Sequence, residues 1–164
     1  MIVRLSKILL VLQIGLFSLL VGADNIVDYG TNYVFVEHVM AMDTVLPSTT
    51  LTWRAITSPT VDQLGYAVII GLELLGGALC VAGAWRLWQA RPADAVHFNA
   101  AKDLAVAGLV CGFALWFFGF MTIGGEWFQM WQSKIWNGQE AAFRFIACIG
   151  LVLIYLAQRD DELI

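Results

Sequence analysis

Charged residues are scarce in this sequence: Asp, Glu, Lys and Arg together make up 13% of its 164 residues, whereas 60% are hydrophobic. A soluble domain carries roughly twice that share of charge, so the composition excludes an ordinary water-soluble fold and makes the bilayer the solvent. The net charge of -4 is small, and the basic residues are dispersed. No basic stripe exists to grip a phosphate backbone, which excludes nucleic acid as a partner. Cysteine is equally sparse. Cys80, Cys111 and Cys148 each lie inside an apolar run, without CxxC or Cys/His spacing, so neither a disulfide framework nor a structural zinc site is expected. They read as small apolar residues. Also missing are GxSxG, HExxH, a Walker loop, a thiol pair and paired histidines inside an apolar run to hold haem. Nothing in the chain calls for an enzyme, a cofactor or a resident metal.

What is present is apolar length. Crossing about 30 Å of hydrocarbon takes about 20 mostly apolar residues in a helix, and four runs qualify: Leu5 to Ala23, Leu64 to Trp85, Leu104 to Ile123, and Ala141 to Ala157. The first has a second reading, since Arg4 and Lys7 before an apolar run ending in Val21-Gly22-Ala23 also match a cleaved signal peptide. With the first run retained and the N-terminus inside, Arg4, Lys7, Arg86, Arg91, Lys102 and Arg159 face the cytoplasm, and Arg54, Lys134 and Arg144 face outward. That bias follows the positive-inside rule. The expected fold is therefore an all-α membrane protein, one four-helix transmembrane bundle over residues 1–164 with both termini inside. It has outer loops at 24–63 and 124–140 and a short inner loop at 89–103.

Local punctuation refines these limits. Ser58-Pro59 reads as an N-cap followed by proline at the first helical position, starting the second helix ahead of the membrane. Asn137 with Glu140 has capping-box spacing for the fourth. Between Asn32 and Asp43, Phe35, Val39 and Met42 fall on one stripe, with Val36 and Met40 beside it. This predicts a short amphipathic helix on the membrane surface with Glu37 toward water.

Glu73 is the first candidate for chemistry. It sits about halfway along the second run, where a charged carboxylate costs several kcal/mol on any scale, so it must be neutral, paired or hydrated. Gln13, the strongly polar residue inside the first run, is its expected partner. The pair serves either a proton or cation relay, or a hydrogen bond that fixes helix order. Gly76 and Cys80 on the second run, and the GxxxG pair Gly108 and Gly112 on the third, form small-residue faces for close packing within the bundle or against another chain. In the first outer loop, His38, Met40 and Met42 offer a weak soft-metal pattern, outweighed by Met40 lying on the apolar stripe. Trp127 and Trp131 in the second are spaced one helical turn apart. They suit anchoring at the headgroup level, or a docking surface for a partner, a quinone-like molecule or a headgroup. Arg144 is placed to pair with Glu140 or Glu126, or to meet a ligand's anionic group.

The segments Asn32-Tyr33-Val34-Phe35-Val36-Glu37-His38-Val39-Met40-Ala41-Met42-Asp43-Thr44, Trp53-Arg54-Ala55-Ile56, Gly124-Gly125-Glu126-Trp127-Phe128-Gln129-Met130-Trp131-Gln132-Ser133 and Trp136-Asn137-Gly138-Gln139 resemble a bacterial family of "predicted small integral membrane protein", domain of unknown function 2165. The likeness covers nearly the whole chain. It implies a Gram-negative inner-membrane protein with four helices and a retained first segment, and it carries no established activity. In the expected topology His38, Asp43, Trp53, Arg54, Glu126, Trp127 and Asn137 all lie on the periplasmic side, where loops above a rigid bundle commonly bind.

The leading expectation is a non-enzymatic component that docks through its outer loops and small-residue faces onto a second copy or a larger membrane complex. A small ion-coupled transporter using Glu73 is the alternative. A third reading is an accessory subunit that holds a lipid or quinone near Trp127, Trp131 and Arg144.

Overall fold

The computed structural model describes residues 1–161, and within them every regular element is helical. Helix α1 runs Ile2–Val27, α2 Tyr29–Ala41, α3 Pro59–Ala90, α4 Ala95–Ala100, α5 Asp103–Ala114 and α6 Gln139–Ala157. Beyond α5 the same helix continues as a π-helical stretch, Leu115–Trp127. Four helical units are long and apolar enough to cross a membrane: α1, α3, α4 to the π-helical stretch taken together, and α6. They pack as a ring, α1 on α3, α3 on α5, α5 and its π-helical extension on α6, and α6 back on α1. One end of the bundle carries the start of α1, the end of α6 and the α3–α4 turn; the other carries α2 and the two long loops.

The apolar pattern is that of a protein in lipid. Leu20 on α1, Leu64 on α3 and Leu151 on α6 are 64%, 62% and 69% exposed. The seam between α3 and its neighbours is made of small residues instead. A Cβ on Gly108 would lie 2.6 Å from the backbone nitrogen of Cys80 and 2.8 Å from the carbonyl oxygen of Gly76. One on Gly83 would run into the backbone of Ala105, and one on Gly77 would lie 3.0 Å from the carbonyl oxygen of Gly15. Lipid tails are as apolar as leucine, so helices in a bilayer are held by such close packing more than by a hydrophobic force. Gly76, Cys80, Gly108 and Gly112 are all buried inside the bundle, Gly112 beside Ile149 of α6.

Several expectations are revised. The first helix continues four residues past Ala23, and the residues expected to form the inner loop are largely helical, with tight turns at Arg91 to Asp94 between α3 and α4 and at Ala101 to Lys102 between α4 and α5. The Asn137–Glu140 capping box does not form: Gly138 takes the N-cap position, Asn137 accepts from the Gln139 amide at 3.1 Å, and Glu140 turns to Arg144. Ser58 and Pro59 do begin α3, without a side-chain cap bond. Trp127 and Trp131 do not share a helical face, because the chain leaves the helix at Phe128 and Gln129 adopts φ 55°. The stripe of α2 packs onto the protein itself: Val36 joins Tyr66 and Ile70, and Val39 and Met42 join Phe128 and Met130. Glu37 is exposed.

The π-helical stretch carries Gly119, Gly124 and Gly125, and the Phe128 amide bonds five residues back to Ile123 at 3.0 Å. π-Helical geometry is rare and collects at functional sites. Here it forms one wall of a cavity.

Candidate functional site

Glu73 is buried, 4% exposed, on α3 where α1 passes it. Gly22 permits that approach, since a Cβ there would lie 3.3 Å from the Glu73 Cβ. One turn further along α1, Asn25 donates its amide to Glu73 Oε2 at 2.8 Å. Asn32 of α2 donates in turn to Asn25 Oδ1 at 2.7 Å, and the Tyr66 hydroxyl donates to the Asn25 carbonyl at 3.2 Å. Tyr66 stands two turns before Glu73 on the same face of α3. These groups make a continuous polar chain from exposed Asn32 to the buried carboxyl. Gln13 has no part in it: its side chain is exposed, and the expected Glu73–Gln13 contact is replaced by Glu73–Asn25.

A cavity of about 190 Å³ reaches the carboxyl. Its polar lining is Asn25, Asn32, Tyr66 and Glu73, and its aromatic walls are Phe35, Trp116, Phe120 and Phe145. A second, almost wholly apolar groove of about 590 Å³ runs between α2, α3 and the π-helical stretch, past Leu64, Val68, Leu72, Phe118 and Ile123. The two share Phe35, Val36, Ile69 and Phe120 as a common wall. The groove lies within the size range of sites for small organic ligands. Beyond Glu73, toward the end that carries the α3–α4 turn, α1, α3 and α5 meet closely along the glycine seam of α3.

The remaining site candidates divide into separate groups at the loop end. The Arg54 guanidinium lies 5.3 Å from the Trp53 ring and 4.7 Å from the Trp127 ring, and donates to the carbonyls of Glu126 and Trp127 at 3.5 and 3.4 Å. His38 is elsewhere, stacked on Trp136 at 4.6 Å with Nδ1 2.6 Å from Asp43 Oδ2. Met42 is buried among apolar neighbours, so the His38–Met42 pattern is not gathered into a ligand set. Trp131 is half exposed. Arg144 meets Glu140 at 2.6 Å, and their side chains are 70% and 84% exposed, which makes the pair a weak surface contact.

Sequence reasoning missed a second polar cluster, at the opposite end of the bundle. Lys7 of α1 and Lys102, just ahead of α5, reach Asp160 Oδ2 at 2.7 and 2.6 Å, and both donate to the Gln158 carbonyl at the end of α6. Asn99 brackets Asp160 through its backbone nitrogen and carbonyl at 3.1 and 3.0 Å. Arg4 donates to the carbonyls of Arg91, Ala93 and Asp161 at 3.0, 2.5 and 3.1 Å. Burial pushes the Asp160 carboxyl up, but hydrogen bonds and charge from Lys102 and Lys7 outweigh it and hold the group below the usual carboxylate range. The cluster ties α1, α4, α5 and the end of α6 together. Nothing in the residue pattern announces it beyond the basic residues that also signal sidedness.

Four apolar spans, exposed leucines and a glycine-lined interior define the class as an integral membrane protein with a four-helix bundle. The chain belongs to the family described as "Predicted small integral membrane protein (DUF2165)", which it matches over residues 3–159. No curated protein and no solved structure matches it.

Proposed function

We propose that this is a non-enzymatic membrane component that binds a small amphiphile, with the polar group of the ligand in the Glu73 cavity and its apolar part in the adjoining groove. This favours the lipid- or quinone-holding accessory role among the three expectations, but moves the site from Trp127, Trp131 and Arg144 to Glu73. The observation that carries it is the wall common to the polar cavity and the 590 Å³ apolar groove. An amphiphile matches both halves, since the groove favours apolar surface and the four polar groups fix orientation. The transporter reading has less support, because the close-packed α1–α3–α5 seam lies between Glu73 and the other end of the bundle. Likewise the small-residue faces are already occupied by neighbouring helices of the same bundle.

Solvent extraction of protein purified in a mild detergent, followed by mass spectrometry, tests the binding role. An amphiphile should be retained near one per chain, and Val68→Trp, which fills the groove, should lower its occupancy at least tenfold. Equal recovery from both forms would count against the site.

A second reading, docking of a partner protein on the loop end, is favoured by Trp53 at 70% and Trp127 at 47% exposure around Arg54. Its expected result is a co-purifying partner, or a second copy of the chain, that is lost on Trp53→Ala combined with Trp127→Ala. Recovery of a monomer without companions would remove it.

For sidedness we propose the inner membrane of a bacterial cell with both termini in the cytoplasm, on the positive-inside bias that places Arg4, Lys7 and Lys102 at one end. On a Cys148→Ser background, an impermeant maleimide should label Ser48→Cys in cells whose outer membrane has been opened, and Val96→Cys only after the inner membrane is disrupted. The reverse pattern would invert the topology.

A further inference from the structure

From the same site, and resting on the amphiphile reading, we infer that the ligand's polar group is an organic cation, an ammonium on an apolar tail. Glu73 is buried in the cavity wall, and its only hydrogen-bond partner among the described residues is the neutral amide of Asn25. Among the described residues, no lysine, arginine or histidine lines that cavity, so the carboxyl has no protein cation there to neutralise it. A cation brought by the ligand supplies the missing charge beside a carboxyl that is 4% exposed, where leaving a charge unpaired is costly.

The aromatic wall points the same way. Phe35, Trp116, Phe120 and Phe145 line the same cavity as Glu73. Aromatic faces attract ammonium groups, more strongly when water is excluded, and an aromatic cage is a recurrent way to bind them. A carboxylate or phosphate ligand would meet Glu73 as a like charge. A neutral alcohol would fit but would gain nothing from the rings.

The field at the mouth has the matching sign. Residues 24–63 carry five carboxylates, Asp24, Asp28, Glu37, Asp43 and Asp62, against Arg54 alone among lysines and arginines. All but Asp62 are exposed. Asp28, Glu37 and Asp43 lie on or beside α2, whose Asn32 begins the polar chain to Glu73. Surfaces of one sign concentrate ligands of the opposite sign.

The test uses the full chain in nanodiscs of zwitterionic lipid and three photoreactive probes with one identical sixteen-carbon diazirine tail, roughly the length of a bilayer leaflet, bearing a trimethylammonium, a hydroxyl or a carboxylate head. Labelled peptides are mapped by mass spectrometry. The expected result is at least tenfold greater labelling around Ile69 and Phe120 by the ammonium probe than by either other probe. That preference should fall to less than twofold in Glu73→Gln, while hydroxyl labelling of the same peptides is unchanged. Phe35→Leu provides a second variant should Glu73→Gln fail to fold, and should reduce the preference at least threefold.

Equal labelling by all three heads, or preference for hydroxyl or carboxylate, would overturn the cation assignment and leave the amphiphile site standing. Absence of localised labelling by every probe would overturn both. An ammonium preference that survives Glu73→Gln and Phe35→Leu would also overturn the assignment, because the bilayer or the loop surface would then be its source.

Discussion

Gly108→Val is expected to cost about 3 kcal/mol of bundle stability or more, at the upper end of what overpacking does. The reason lies in what a side chain there would meet. Its first carbon would sit 2.6 Å from the Cys80 backbone nitrogen, 2.7 Å from the Cys80 sulfur and 2.8 Å from the Gly76 carbonyl oxygen. Two of those three atoms are backbone, so relief requires α3 and α5 to move apart. Separation would take the Gly83–Ala105 contact with it. Gly71 is the matched control, because it lies on the same α3 but a Cβ there would meet nothing within 4 Å. Gly71→Ala should be neutral or stabilising by up to about 1 kcal/mol, from helix propensity alone. Far-UV circular dichroism during titration of the detergent-solubilised protein with a denaturing detergent separates the two. Matching midpoints for the two variants would mean that the glycine seam does not hold the helices together.

Asp160→Ala should be nearly as damaging, costing about 3 kcal/mol, because it strands two lysines. The side chains of Lys7 and Lys102 are 1% and 7% exposed, and that of Asp160 is 3% exposed. Removing one partner from a buried pair leaves an uncompensated charge, which is worse than never having had the pair. Asp160→Asn, which keeps hydrogen-bonding capacity but not charge, should fall between the wild type and Asp160→Ala. The pH dependence has a definite sign. In the folded protein the carboxyl titrates below its usual range, so its stabilising contribution is fully present above the unfolded value, about 3.9, and is lost as pH falls through the lower folded value. Between about pH 5 and 8 this group should leave the unfolding midpoint flat. An Asp160→Ala midpoint within experimental scatter of the wild type would show that the cluster adds no stability.

The spans are legible in the sequence because solvent selects composition over long runs: about 20 apolar residues in a row have few other uses. Their limits are less legible, because polar residues inside a helix, such as Asp24 and Asn25 on α1, look like loop when only hydropathy is read. Glu73 stands out as a lone acid in an apolar run. Its partner does not. Gln13 matches by position within the first run, but α1 is offset along α3 so that Gly22, not Gln13, is level with Glu73, and Asn25 one turn on makes the bond; hydropathy does not contain that offset. The folding of α2 over the cavity is tertiary for the same reason. Phe35 and Val36 read as a stripe meant for lipid, yet they cover Tyr66 and line the space beside Glu73. The π-helical stretch leaves no mark in the sequence, because its residues are as apolar as those of an α-helix and only the backbone hydrogen bonds tell the two apart. Lys7 and Lys102 read as markers of sidedness, since long basic side chains near helix ends commonly snorkel toward water. Here they turn inward to Asp160.

A ligand that crosses the wall between the Glu73 cavity and the apolar groove is tested most directly by a structure determined in lipid without added ligand. The expected result is elongated density that begins within hydrogen-bonding distance of the Glu73 carboxyl, passes between Ile69 and Phe120 and ends beside Leu64 and Phe118. A groove closed by Phe118 and Leu64 meeting each other, with Glu73 bonded only to Asn25, would contradict it.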